Sequence, residues 1–354
     1  MNTLDALLSG IAADAPLIGL LVAIVVSLAV LAKGADILVD QAVSLSRRLG
    51  VPKMLIGATV VSVGTTLPEA AVSVLAAVQG APGLALGNSV GSIIADTGLI
   101  LGLAILIGRV PTERRLVSRQ SWIQVSSAVL LVLVCVPYLA LRGMFTDGGR
   151  LPQPVGILFL VLLGLYLWRS ISWSRTAPGG ASEDAADEDG AAAPTPLGAL
   201  ALLALGVVMV VVGANVLITA VEELATRLQI PDAIIAATLV AFGTSLPELV
   251  TAVTAVRRGH GELAIGNVLG ADVLNVLFVS GAAAAVTTGG LAVPPQFFYL
   301  FFPSMLFVVL VLRFGISRTG TGQFSKAFGF ALLGAYLVTV LLGYVVPGGG
   351  SLHG

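Results

Sequence analysis

Charge is what this 354-residue chain has least of: Asp, Glu, Lys and Arg make up 10% of it, against about 25% in a typical soluble domain. With 57% hydrophobic residues and a mean hydropathy of +1.02, it cannot clothe a water-soluble surface. A single cysteine, Cys135, excludes an intramolecular disulfide framework and a cysteine metal cluster, and reads as a small apolar core residue. The first 15 residues hold Asp5 and Asp14 but no Lys or Arg, unlike a cleaved secretory signal, so the first span is expected to stay in the protein. Alternating ten-residue segments of the kind that build outer-membrane barrels are missing as well.

What is present is a series of apolar runs of about 20 residues, the length that crosses a bilayer as a helix. Ten spans are expected, at about 17 to 44, 54 to 79, 84 to 107, 120 to 141, 152 to 172, 197 to 220, 233 to 256, 262 to 286, 296 to 312 and 326 to 346. The chain is thus expected to be an all-α polytopic membrane protein of two five-helix halves, 1–176 and 197–354. They are joined over 177–196 by a hydrophilic linker within "TAPGGASEDAADEDGAAAPTP", whose Ala, Gly, Pro and acids have nothing to bury. With the N-terminus outside, fourteen Lys and Arg fall in inner loops and three, Arg142, Arg150 and Arg227, in outer ones. That bias predicts both termini outside and the acidic linker in the cytosol.

The chain repeats itself without gaps. Glu248 follows Glu69 by 179 residues, and the same offset relates Pro231 to Pro52, Gly213 to Gly34, Asn267 to Asn88 and Asn275 to Asp96. Of the 21 positions starting at Gly57 and at Ala236, ten are identical. Five spans per half mean that the copies enter the membrane from opposite sides, and equivalent loops reverse their charge accordingly: "SRRLGVPK" is basic where "VEELATRLQIPD" is acidic. Inverted repeats with interrupted helices are an architecture of secondary transporters, which bind substrate near the bilayer midplane.

The repeated core is "VSVGTTLPEA" and "VAFGTSLPEL". Pro68 and Pro247 have no N–H for the carbonyls of Gly64 and Gly243, which is tolerable in lipid only where the break lines a cavity or meets a ligand. Thr65, Thr66, Thr244 and Ser245 add neutral oxygens, and Glu69 and Glu248 add charge, giving an all-oxygen set suited to hard cations such as Ca²⁺ and Na⁺. A second cluster follows on the next span: Ser92 and Asp96 in the first half, Ala271 and Asn275 with the extra carboxylate Asp272 in the second. The glycines around these clusters read as packing positions. Lys33, Asp36 and Asp40 are expected to form a local salt bridge, and His260 to be a surface histidine.

In these residues the chain resembles the cation/calcium exchanger superfamily, in its prokaryotic sodium/calcium exchanger-like branch: "GTTLPE" and "GTSLPE" are each followed by "GN" and then "GS" or "GA". The resemblance covers essentially the whole chain. It implies the sodium/calcium exchanger fold, with α-repeats at about 54–107 and 233–286. It also implies ion ligands at Ala58, Thr65, Thr66, Glu69, Ser92 and Asp96, and at Ala237, Thr244, Ser245, Glu248 and Asn275, the alanines acting through their carbonyls. Two departures stand out. Asp96 and Asn275 reverse the family's usual order of amide and acid, and Ala271 lacks a hydroxyl that Ser92 keeps, which predicts weak Na⁺ dependence unless Asp272, three residues before Asn275, supplies an oxygen in its place.

The leading expectation is an antiporter that exchanges Ca²⁺ for Na⁺, with no cofactor and with small inorganic cations and the lipid bilayer as its partners. Neither nucleic acid nor a protein partner is implied. A proton-coupled exchanger could use the same carboxylates, and a passive cation channel the same oxygens, although inverted repeats argue against the channel. An enzyme is the weakest reading, because a protease dyad needs no symmetric hydroxyls.

Overall fold

The computed structural model describes residues 3–112, 114–138, 141–174, 196–228, 243–319 and 322–345. They form twelve helical pieces. In the first half these are α1 (Thr3–Asp14), α2 (Leu17–Leu49), α3 (Lys53–Thr65), α4 (Leu67–Val78), α5 (Pro82–Ile107), α6 (Arg114–Cys135) and α7 (Gln153–Ser174). In the second they are α8 (Pro196–Arg227), α9 (Leu246–Arg257), α10 (Gly261–Val286), α11 (Phe297–Arg318) and α12 (Lys326–Val345). Eight of them are long and apolar enough to cross a membrane, and α3 with α4 forms a further span bent by 45°. The expected seventh span, 233 to 256, is described only from Gly243 onward, and the acidic linker lies outside the described residues.

Two differences from the sequence expectation have physical causes. The fourth span runs over 114–135, not 120 to 141, because Pro137 disfavours helix at the residue before it, and because the helix begins in the basic stretch Arg114, Arg115 and Arg119, which an apolar run does not include. The short α1, not foreseen, docks on the end of α8. Arg227 donates to the carbonyls of Ala12, Ala13 and Ala15 at 3.0, 2.9 and 2.7 Å, capping acceptors that the helix end leaves open.

Packing follows the repeat. The long helices α2 and α8 lie against each other through mate glycines. A Cβ on Gly34 would meet Met209 at 2.7 Å, too close for any side chain, and one on Gly213 would press on Leu31 at 3.1 Å. Near the centre, α3 meets α10 in the same way, with Gly266 over the Met54 carbonyl and Gly270 over Ala58. The expected packing role of these glycines is what the structure has.

Loops from the two halves also pair at both ends. Strand β1 (Gly149–Leu151) is antiparallel to β2 (Leu291–Val293), and at the other end Pro111 bridges to Gln323, with Thr112 N–H donating to the Gly322 carbonyl at 2.7 Å. Shifted by the repeat offset, Pro111 and Thr112 fall on Gly290 and Leu291 at the start of β2, while Gln323 falls on Met144, in the loop that leads into β1. Each of these contacts joins loops expected on the same side of the membrane. The core is two apolar layers. One holds Leu55, Ile105, Val256 and Leu263, and the other holds Leu86, Leu131, Cys135, Phe159 and Phe302. Cys135 is the apolar core residue expected. Where both layers thin out, along α3, α4, α5, α9 and α10, lies a belt of buried polar side chains.

Candidate ion site

The helix breaks fall where the prolines predict. Thr66 leaves helical geometry with φ −83° and ψ −4°, Ser245 with φ −91° and ψ 7°, and each proline becomes one of the first residues of the helix that follows. A proline there loses nothing, since the first N–H groups of a helix have no internal partner. Glu69 and Glu248 therefore sit in the first turn of α4 and α9, which favours negative charge.

Thr65, Thr66, Glu69, Ser92, Asp96, Ser245, Glu248 and Asn275 are all buried in the belt. Glu69, Asp96 and Glu248 lie within electrostatic reach of one another. Glu248 faces Thr65 and Thr66, and Asp96 faces Ser245, so hydroxyls of one half turn toward carboxylates of the other. These are approaches, not hydrogen bonds. Thr66 Oγ1, Glu69 Oε2, both oxygens of Asp96, Ser245 Oγ, both oxygens of Glu248 and Asn275 Oδ1 have no hydrogen-bond partner. Buried polar atoms are nearly always paired, so such a concentration of bare oxygens marks a place where another positive partner belongs. Ion pairs join Arg227 to Glu223 and Arg258 to Asp36 and Asp40, and neither Glu69 nor Glu248 is among these partners. Among the described residues no three carboxylates come close enough to form a metal cluster by themselves, so a cation would need hydroxyl and amide oxygens too.

Other expected site residues are differently engaged. Thr244 is half-buried and donates to Asn88 Oδ1 at 3.3 Å. The Ala58 carbonyl accepts from Tyr166 at 3.0 Å, and Tyr166 in turn accepts from Gln120 at 3.0 Å. Asp272 Oδ2 accepts from Thr97 and Gln124, while its Oδ1 is bare. Ala237 lies outside the described residues.

The expected salt bridge at Lys33 is corrected. Lys33 is exposed, and Arg258 at the end of α9 takes both acids, Asp36 at 2.7 Å and Asp40. The guanidinium comes from the other half, so local spacing could not reveal it. His260 is half-buried rather than on the surface, with Nδ1 3.5 Å from Lys53 Nζ; burial and the charges of Lys53 and Arg47 hold its pKa below the ordinary value.

Three features of the belt went unforeseen. Asn88 donates to the Glu69 carbonyl at 3.1 Å and to Ser73 at 2.9 Å, fixing the start of α4. Helices α5 and α10 each widen into a π turn at the second cluster, Ala95–Ile100 and Asn275–Ser280. Such turns shift the backbone ladder and recur at functional sites. Ser89 and Ser280 donate to the Asn275 carbonyl there, at 2.5 and 3.2 Å. Finally, α6 contributes Gln120, Gln124 and Ser127, whose four- and three-residue spacing inside an apolar span was a readable stripe.

Two inverted halves closing on a buried belt of bare oxygens define a helical membrane transporter. The chain belongs to the sodium/calcium exchanger protein family, whose family model matches residues 19–172 and 198–345. It is 32% identical to the inner membrane protein YrbG of Escherichia coli K12 over 327 residues, 91% of this chain and 95% of that protein. With the sodium/calcium exchanger MaX1 of Methanosarcina acetivorans it shares 30% over 357 aligned positions, covering 90% and 96% of the two chains. Among solved structures it is similar to the sodium-calcium exchanger NCX_Mj soaked with 10 mM Na⁺ and zero Ca²⁺, with a TM-score of 0.76, 25% identity, and coverage of 92% and 99%. The ten-helix, inverted-repeat fold fits this family, which is one of transporters and not of enzymes.

Proposed function

We propose that the protein is a secondary antiporter that exchanges Ca²⁺ for Na⁺ by alternating access, with the two ions as cargo. The observation that carries the reading is the set of bare carboxylate, hydroxyl and amide oxygens that both halves contribute to the buried belt. Oxygen-only ligation suits Ca²⁺ and Na⁺, and two glutamates facing one centre favour a divalent ion between them. The relatives named sodium/calcium exchangers support the same ion pair.

In this reading Glu69 and Glu248 bind Ca²⁺ directly. Thr65, Thr66, Ser92, Asp96, Thr244, Ser245 and Asn275 complete the ion sites, together with the Ala58 and Ala237 carbonyls and Asp272. The halves 1–176 and 197–354 form two inverted units about this centre, joined by the linker 177–196. The positive-inside bias puts that linker in the cytosol and both termini outside the cytoplasmic membrane. The test is ⁴⁵Ca²⁺ uptake into proteoliposomes under an imposed Na⁺ gradient. Uptake that follows the outward Na⁺ gradient and stops when choline replaces Na⁺ supports the proposal. Uptake that follows only a proton gradient, or needs no counter-ion, overturns it.

A further inference from the structure

Asp272 is the carboxylate that the repeat does not explain. Its counterpart 179 residues earlier is Ile93, and the mate of Asp96 is the amide Asn275, so each second cluster holds one acid but at positions the symmetry does not relate. It is buried and held from one side only. Thr97 and Gln124 both donate to Oδ2, and the Gln124 amide also donates to Thr97 at 2.9 Å. With Asp272 ionised, the proton accounting closes in one arrangement: the carboxylate only accepts, Gln124 turns its NH₂ toward it, and the Thr97 hydroxyl accepts from that amide while donating its own proton to the acid. These three side chains come from α10, α5 and α6, and none of the three contacts could form within one helix.

The other oxygen, Oδ1, is bare and buried, and Asp272 lies within electrostatic reach of Asp96, whose two oxygens are bare too. Ala271, immediately before it, is the position where the second half lacks a hydroxyl that Ser92 supplies in the first. A residue beside Ala271 on the helix is turned by about 100° from it, so Asp272 could not take over that ligand position by chance of rotamer and needs something to aim it.

We propose that Gln124 and Thr97 are positioning residues that hold Asp272 with Oδ1 presented beside Asp96, so that this carboxylate replaces the oxygen missing at Ala271 in a Na⁺ site at the flank of the belt. This rests on the exchange reading above. Gln124 touches no ion: it acts through Asp272, by engaging Oδ2 and leaving Oδ1 free. A singly charged ion gains less from each ligand than a divalent one, so the Na⁺ half-saturation is the parameter this positioning controls, while Ca²⁺ sits between Glu69 and Glu248.

The experiment uses the full chain in proteoliposomes, with Ca²⁺ flux titrated separately against Na⁺ and against Ca²⁺. Gln124→Leu raises half-saturating Na⁺ about fivefold, the effect of one lost polar contact, with half-saturating Ca²⁺ changed less than about twofold. Asp272→Asn shifts Na⁺ in the same direction, and the double variant is no worse than Asp272→Asn alone, because Gln124 acts only through that acid. Adding Ala271→Ser to Gln124→Leu brings half-saturating Na⁺ back toward wild type, a rescue that a purely structural glutamine would not show. Thr97→Val, which keeps the side-chain shape, is the second probe should Gln124→Leu fold poorly, and it shifts Na⁺ in the same way. Parallel loss of Na⁺ and Ca²⁺ sensitivity, additive effects in the double variant, or no rescue by Ala271→Ser would overturn the proposal. Absence of Na⁺-driven flux in the wild type would instead overturn the exchange reading.

Discussion

Asn88 and its repeat mate Asn267 occupy equivalent places and are bonded differently: Asn88 spends its amide on the Glu69 carbonyl, Ser73 and Thr244, whereas both amide atoms of Asn267 are buried without a partner. An inverted repeat frozen in one conformation has to break its own symmetry somewhere, and this pair is one such place. Asn88→Leu is expected to lower thermal stability by about 1 kcal/mol for each of its two donated hydrogen bonds. Asn267→Leu should leave stability within about 0.5 kcal/mol, having no bond to lose, but slow exchange if Asn267 takes up the mate role in the opposite-facing state. Thermal unfolding in detergent with flux in vesicles tests both. Equal destabilisation by the two variants would count against the asymmetry.

Glu69→Gln and Glu248→Gln should each reduce exchange to background while the protein remains monodisperse in detergent. Each removes one of the charges facing a divalent ion and keeps the side-chain shape. Near wild-type flux in either variant would remove that glutamate from the ion site.

His260 links the end that carries Lys53 to pH. Its pKa is depressed in the folded protein by burial first and then by Lys53 and Arg47, so the unfolded chain binds more protons as the medium is acidified. Stability from this group is therefore full above the unfolded value of about 6.5 and falls as pH drops from there toward the lowered folded value. Melting curves between pH 8 and pH 5 should show this loss, and His260→Gln should flatten that part of the profile. An unchanged profile in His260→Gln would assign the loss to other groups.

A protease site inserted between Ala181 and Ala192 should be cut by protease added to inverted membrane vesicles and spared in right-side-out ones. The reverse pattern would turn the whole assignment of sides over, since the strand pair holds two loops on one side together and Pro111–Gln323 holds two on the other.

Much of the belt was legible because its parts lie close together in the chain. A glycine, hydroxyls, a proline and a glutamate within six residues fix a helix break and its ligands, and Thr66 and Ser245 break where Pro68 and Pro247 require. Contacts made across the halves were not legible. Arg258 reaches Asp36 over more than two hundred residues, and Gln124 reaches Asp272 over 148, distances at which spacing carries no information. The π turns at Asp96 and Asn275 are shifts of the backbone ladder that no single side chain announces. The fourth span was misplaced for an instructive reason: the arginines at 114, 115 and 119 that begin the helix look, in one dimension, like the loop before it.

The length of α2 and α8 has a further consequence. At 1.5 Å per residue, 33 and 32 residues make rods of about 50 Å, whereas the hydrocarbon slab they cross is about 30 Å deep. Such rods must lean steeply or project into the aqueous phase, and the bilayer sets how much of each. Leu31 and Ala35 interlock with Val210 and Ala214 across the two rods, so they lean as a pair. Acyl-chain length thereby acts on this pair as a mechanical load, and a thinner or thicker membrane would rest on the same transporter with a different force.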